Sequence, residues 1–325
     1  MSSPDELLAA LRSVLADLGE ATDDLALRGL SGGASRETWR VERADAPDLI
    51  LQRERTSEPR LAGGMADEAE VVSAAQGSGV PVPTMLATNR THPGTPLGGS
   101  FLLATAVDGE TIARKILRDD EFAGARSRLT GQCGAALAAI HSTPTDGLPP
   151  HVTETDELEQ YRTVMRDLEL VSPAFELAVR WLDRHRPARR PSVLVHGDFR
   201  LGNLIVDTDG LAAVIDWELA HRSDPMEDLG WLCVRAWRFG GAGVVAGVGD
   251  RADLWAAYEA AGGAPVDPDA AHWWEVLGHL KWGVMCGIQL AAHTSGAVRS
   301  VELAAIGRRI VEQEYDLVRL LEERP

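Results

Sequence analysis

Near the start of the chain, apolar residues recur at helical spacing. Leu7, Leu11, Val14, Leu15 and Leu18 share one face, behind the helix-start signature Ser3-Pro4-Asp5-Glu6. This pattern predicts a covering helix over 4–19. From Leu25 the period changes to short strand-type runs at 25–30 and 36–41, parted by the small-residue turn Ser31-Gly32-Gly33-Ala34-Ser35. A hairpin tip of that kind exposes backbone N–H groups with almost no side-chain bulk, a shape suited to covering phosphates. A third strand is predicted at Leu49-Ile50-Leu51-Gln52-Arg53, followed by a helix over 67–75 that stops before Gly77-Ser78-Gly79. Another buried strand follows at 101–107 and ends at Asp108-Gly109. Beyond it the pattern is mainly helical. Leu129, Cys133, Leu137 and Ile140 form one buried stripe, and further helices are predicted over 157–170, 174–186, 229–239, 251–261, 268–293 and 300–323.

Within this helical part lie three short apolar runs of strand type, 193–195, 204–206 and 212–215, the last two parted by the turn Asp207-Thr208-Asp209-Gly210. Polar residues sit at the mouths of these strands. They are Asp198 in His196-Gly197-Asp198-Phe199-Arg200-Leu201-Gly202-Asn203, then Asn203, then Asp216 in Ile215-Asp216-Trp217-Glu218. Phosphoryl transfer needs a carboxylate to orient the acceptor hydroxyl and accept its proton, and hard oxygen ligands for a Mg2+ on the nucleotide phosphates. Asp198 is therefore the candidate base, and Asn203 and Asp216 are the candidate metal ligands. The plainer account, that these are ordinary turn residues where strands end, has to explain spacing, strand context and a following acidic motif all at once. His196 is expected to tie the loop to a backbone carbonyl.

The order base, amide, acid matches the His-Arg-Asp-x-x-x-x-Asn and Asp-Phe-Gly motifs of protein kinases. Gly197 in place of the Arg, Asp216-Trp217-Glu218 in place of the later triplet, and Asp224-Pro225-Met226-Glu227-Asp228-Leu229 beyond it resemble the aminoglycoside phosphotransferase and choline kinase family. Ser223 replaces the Gly that opens that last motif. The His-Gly-Asp-Phe-Arg-Leu-x-Asn form is similar to the branch associated with acyl-CoA dehydrogenases. The resemblance implies an α+β, protein-kinase-like fold of two lobes. Residues 1–107 would form a small antiparallel-sheet lobe, and 108–325 a larger, mainly helical lobe carrying the catalytic loop.

It also implies ATP as phosphoryl donor, with GTP not excluded, and Mg2+ as cofactor. Ser31, Gly32, Gly33 and Ser35 would cover the phosphates, and Thr105 and Val107 would lie at the adenine-reading hinge. Glu68, counted back from Pro81-Val82-Pro83, would be the helix glutamate that pairs with a small-lobe cation. That lobe contains no lysine, because the chain's two lysines are Lys115 and Lys281. Arginine must serve instead. Arg53 is the first choice, with Gln52 competing for the same position because one residue of slip reverses the face. Arg200, two residues after the base, shares its face in an extended loop and is placed to stabilise charge on the transferred phosphoryl group.

Composition sharpens this picture only a little. The 325 residues are 45% hydrophobic and 25% charged, an average globular balance and long enough for two core-bearing units. A net charge of −17 argues against a nucleic-acid partner and weakly favours small cationic ligands, with solubility the commoner reason for such a charge. Cys133, Cys233 and Cys286 are too few and too scattered for a disulfide framework or a zinc site. No secretory segment or membrane span is expected, so the chain reads as cytoplasmic, as monomer or homodimer. His279, Cys286 and His293 recur every seven residues, too far apart on one helix for a metal. Gly241 to Ala246 fit Gly-x-Gly-x-x-Ala without a preceding strand and read as a flexible loop. His272, Trp273, Trp274 and Trp282 read as core aromatics, with an acceptor-pocket wall as the other use. The acceptor is expected to be a small molecule bearing a hydroxyl: an aminoglycoside, a hydroxyacyl-CoA or another metabolite. A nucleotide-binding pseudokinase without turnover is the alternative that the missing lysine keeps open.

Overall fold

The computed structural model describes residues 4–30, 36–54, 64–97 and 99–323. Helix α1 (Pro4–Asp17) covers one face of a five-stranded antiparallel sheet with strand order β1-β2-β3-β5-β4. Its strands are β1 (Leu25–Leu30), β2 (Arg36–Arg43), β3 (Leu49–Glu54), β4 (Met85–Thr88) and β5 (Phe101–Thr105), with α2 (Met65–Gly77) inserted between β3 and β4. Alternation along each strand decides what each face carries. Val41, Leu49, Leu51 and Leu103 turn towards α1 and pack with Leu7, Leu11, Val14 and Leu15 in one buried cluster. In β2 and β3 the pairs Thr38↔Gln52 and Arg40↔Ile50 therefore lie on the opposite face.

Beyond β5 come α3 (Ala113–Arg118), α4 (Ala123–His141), α5 (Glu157–Asp167) and α6 (Pro173–Arg184). Two small antiparallel pairs follow: β6 (Val193–Val195) with β9 (His221–Ser223), and β7 (Leu204–Asp207) with β8 (Gly210–Val214). Helices α7 (Met226–Cys233), α8 (Arg251–Ala260), α9 (Pro268–Thr294), α10 (Val301–Gly307) and α11 (Ile310–Glu323) complete the chain. Phe199, Leu201 and Leu204 join α4 and α8 in the largest core, so the loop after β6 is anchored from below. Helix α9 is buried along most of its length, with Trp273, Leu280 and Val284 packed against Phe175 and Leu317. None of the helices described is long and apolar enough to cross a membrane.

The pattern ran one helix past a break, merged two others and misjudged one loop. The helix predicted over 229–239 stops at Cys233, because Val234 turns to extended backbone and is buried beside Trp231 and Trp237. One 3-10 turn, Arg235–Arg238, follows and ends at Phe239 with φ 46°. The predicted 300–323 helix is two helices. Gly307 closes the first against α9, where a Cβ would lie 2.6 Å from the Cβ of Leu290. The segment read as a flexible loop is pinned by the bridges Gly243↔Gly247 and Val245↔Gly249, with Val245 and Ala246 fully buried.

Helices α4 and α8 touch at Gly134, where a Cβ would stand 2.8 Å from the Tyr258 amide nitrogen and 2.9 Å from the Ala257 Cβ. One turn earlier, a Cβ on Gly131 would meet nothing within 4 Å. Urea unfolding should separate the two positions. Gly131→Ala is expected to stabilise by roughly 0.5–1 kcal/mol through helix propensity. Gly134→Ala gains the same propensity yet should destabilise by about 1–3 kcal/mol through overpacking.

Candidate active site

Strand β6 delivers the chain to His196, which is fully buried. The amides of His196 and Gly197 both donate to the Asp228 carboxylate, at 2.8 and 3.0 Å. Gly197 is required for the turn: its φ is 77°, and a Cβ there would fall 2.4 Å from the Leu219 carbonyl oxygen. The His196 ring bridges two segments. Its Nε2 lies 3.1 Å from the Ile215 carbonyl and its Nδ1 3.2 Å from the Asp198 amide, which fixes the tautomer with the proton on Nε2. Burial pulls the His196 pKa below its ordinary value and keeps the ring neutral.

Three N–H groups then converge on Asp198. They come from Asn203 Nδ2 at 2.6 Å, Trp231 Nε1 at 2.9 Å and Arg200 Nε at 3.0 and 3.1 Å from the two oxygens. Phe199 turns into the core between them, as expected of a residue on the opposite face. The Arg200 guanidinium also lies over the Trp237 ring, 4.9 Å from its centroid. Asn203 donates a second time, to the Asp198 carbonyl at 3.0 Å, so its amide nitrogen is committed and its oxygen is the atom left for a cation.

Asp216 leaves β8 in a left-handed conformation, φ 68°, and among the described residues its carboxylate accepts no hydrogen bond. Burial, then Glu218 and Glu68, push it up to about 7, while Arg36 pulls the other way. The Ile215 amide donates to the Asn203 carbonyl at 3.0 Å, which ties the two loops together. An amide oxygen and a carboxylate crowded by two more carboxylates form a hard-oxygen set with unmet demand for positive charge. That chemistry fits a Mg2+.

Strand β2 contributes Arg36 and helix α2 contributes Glu68. Arg36 Nη2 lies 2.7 Å from Glu68 Oε2, and Nη1 lies 3.2 Å from Glu68 Oε1. Nη2 also reaches Glu218 at 2.9 Å. Burial opposes the Arg36 charge, but Glu68, Glu218 and Asp216 hold its pKa above the ordinary value. Glu68 Oε1 accepts from the Trp217 amide at 3.3 Å, which joins α2 to the segment bearing Asp216.

Arg53, the first choice for the small-lobe cation, is not brought to this group. It sits in register with Glu37, on the face turned towards α1, and pairs with the Glu37 carboxylate at 4.0 Å. Thr105 is engaged in backbone pairing, its hydroxyl accepting from the Thr84 amide at 2.9 Å, and Val107 is half-buried in the link to α3. Ser31, Gly32, Gly33 and Ser35 lie outside the described residues.

The pattern did not single out Trp231, Trp237 or the buried charges behind the loop. Trp231 stands three residues after Asp228 on α7, a helical spacing that puts both on one face towards the loop. Behind them Lys281 Nζ donates to the Gly197 carbonyl at 3.1 Å, to Glu157 at 3.3 Å and to Glu227 at 3.4 Å. Its ammonium lies 4.9 Å from the Trp231 ring centroid. His221 Nε2 closes the group on Glu227 at 3.1 Å. Glu157, His221 and Glu227 are spaced as a metal set would be, but the Lys281 ammonium already serves as their cation. His279 is a structural histidine, bonded to the Glu275 carbonyl and the Arg235 amide.

A sheet lobe clamped to a helical lobe through Glu68, with Asp198, Asn203 and Asp216 at the strand mouths between them, defines a protein-kinase-like fold. Residues 26–268 match the model of the phosphotransferase enzyme family, and the chain belongs to that family. It is 30% identical over 229 residues to the mouse protein "Acyl-CoA dehydrogenase family member 10", a match covering 66% of this chain and 21% of that protein. The matched region is thus about a fifth of that relative's length. It is 27% identical over 201 residues to an Escherichia coli aminoglycoside 3'-phosphotransferase, covering 58% of this chain and 70% of the relative. Among solved structures, a spectinomycin phosphotransferase in complex with ADP and spectinomycin superposes with a TM-score of 0.67 at 14% identity, covering 95% of this chain and 98% of that one.

Burial works against the charge of His221, but Glu227 and Glu157 raise its pKa to about 9. Its charged form therefore favours the folded state. That contribution is complete below the unfolded value near 6.5 and is lost as pH rises through about 9. Denaturant unfolding between pH 7 and 10 should show wild-type stability falling over this window, with that component absent in His221→Gln.

Proposed function

We propose that the protein transfers the γ-phosphoryl group of ATP to a hydroxyl of a small molecule. The observation that carries this is the convergence of Arg200, Asn203 and Trp231 on the Asp198 carboxylate, with Asp216 tied in through the Ile215–Asn203 bond. GTP would meet the same phosphate chemistry.

Asp198 accepts the proton of the acceptor hydroxyl as its oxygen bonds to the γ-phosphorus, and ADP departs with the bridging oxygen. The three N–H groups on Asp198 hold its carboxylate aimed. Arg200 has the longest and most mobile stem of the three and supplies positive charge to the equatorial phosphoryl oxygens. Asn203 through its oxygen and Asp216 through its carboxylate would hold Mg2+. A bound Mg2+ would neutralise the β- and γ-phosphate charge. The left-handed Asp216 would present its carboxylate to that cation. Ser31, Gly32, Gly33 and Ser35 would cover the phosphates, and the link through Thr105 and Val107 would meet the adenine.

One feature bears on the acceptor. A cleft of about 1250 Å³ opens beside the 3-10 turn that carries Trp237, lined by Arg114, Arg118, Arg235 and Arg309 against Glu312 and Asp316. In a chain of net charge −17 this excess of arginine favours an acceptor with anionic groups, such as a hydroxyacyl-CoA, over a polycationic aminoglycoside.

Two variants test the mechanism. Asp198→Ala should keep nucleotide binding and lose turnover by about 10²-fold or more, the share of a general base. Asp216→Ala should lose the Mg2+-dependent part of the thermal stabilisation by ATP. The matching activity measurement is ADP release with a panel of hydroxyl acceptors, cationic and anionic. Wild-type protein that binds ATP yet turns over none of them would favour the pseudokinase alternative.

A further inference from the structure

We propose that Arg36 carries the phosphate-contacting charge of the sheet lobe, displaced by one strand from β3, and that the Glu218 carboxylate at its Nη2 marks the place a nucleotide phosphate takes. This rests on the nucleotide-dependent reading above and names the residue that reading lacked.

Strand register decides which arginine can serve. Arg36 pairs with Glu54 and shares its face with Thr38 and Gln52, the face turned away from α1. On β3 the residues presented to that face are Ile50, Gln52 and Glu54, none of them a cation, while Arg53 looks the other way. Arg36 spans the strand spacing itself, since its Nη1 comes within 3.5 Å of Gln52 Oε1. The guanidinium therefore stands over the β3 position although its Cα is on β2.

Its partners are those a phosphate-contacting cation needs. Glu68 on α2 holds the guanidinium by two N–H···O contacts, at 2.7 and 3.2 Å, and the same carboxylate accepts from Trp217 next to Asp216. Both Arg36 and Glu68 are well covered, with side chains 13% and 10% exposed, whereas the Glu218 side chain is 50% exposed. A half-exposed carboxylate is held weakly and can return to water at little cost. A guanidinium has five donors in a fixed fork, so it can keep Glu68 and still offer an edge to phosphate oxygens. Three carboxylates, Glu68, Glu218 and Asp216, surround this one cation. Replacing Glu218 by a nucleotide whose charge is shared with Mg2+ relieves that crowding.

The test compares adenosine with a non-hydrolysable ATP analogue by titration calorimetry in Mg2+ buffer. Arg36→Ala should weaken the analogue about tenfold or more and leave adenosine unchanged, and Gln52→Lys added to it should recover most of the loss. Glu218→Ala, with Arg36 intact, should bind the analogue more tightly than wild type. Equal weakening of adenosine and analogue in Arg36→Ala would show a structural strut and overturn the assignment, as would no weakening of either. Should Arg36→Ala fail to fold, Glu218→Ala decides alone: tighter analogue binding supports the proposal and unchanged binding overturns it. Wild-type protein that binds neither ligand would overturn both this assignment and the nucleotide-dependent reading, whereas loss of the Arg36 effect in a wild type that binds overturns the assignment only.

Discussion

A buried carboxylate with no solvent to stabilise it must be satisfied by the protein, and Asp228 is the one on which this site depends. It is fully buried, and its two oxygens accept the amides of His196 and Gly197. Its third partner is His141 Nε2 at 3.2 Å, and the other nitrogen of that ring meets the Tyr258 hydroxyl at 2.8 Å. Burial alone would raise the Asp228 pKa, but His141 holds it below the ordinary value. Helices α4, α7 and α8 are thereby joined to the loop after β6 through a single charge. Uncompensated, such a charge would cost several kcal/mol, so the loop's geometry and the packing of three helices are parts of one arrangement.

That arrangement sets Asp198 in position from the main chain, and a second layer sets it from the side chains. Lys281 holds the Gly197 carbonyl from behind while lying over the Trp231 ring, whose N–H bonds Asp198. Burial opposes the Lys281 charge, yet Glu157, Glu227 and their neighbours keep its pKa well above the usual value. Burial would likewise raise Glu227, but His221 and Lys281 hold it well below its ordinary range. Glu157 goes the other way, raised above its ordinary value by burial and by Glu227.

The features legible in the sequence were local ones. Strand runs, the spacing of Asp198, Asn203 and Asp216, and the acidic motif at Asp224 to Asp228 are short-range patterns, and they placed the loop on the correct strands. The tie from His196 to a carbonyl, here that of Ile215, was also readable, since a buried neutral histidine needs an acceptor. What escaped was set by pairing across the chain. Choosing among Arg36, Gln52 and Arg53 requires knowing which face of the sheet α1 covers. The break at Val234 comes from packing between Trp231 and Trp237, not from helix propensity. Lys281 and Glu157 are 124 residues apart, and Lys281 lies on a helix whose pattern reads only as core.

The scarcity of lysine has a chemical corollary. Lys281 is 3% exposed and already engaged with three acceptors, which leaves Lys115, on α3 in the helical lobe, as the lysine whose side chain meets solvent. Amine-directed electrophiles, including those mounted on a nucleotide's phosphate tail to acylate a neighbouring lysine, find none in the sheet lobe. Labelling the cations of that lobe would take a reagent aimed at guanidinium groups.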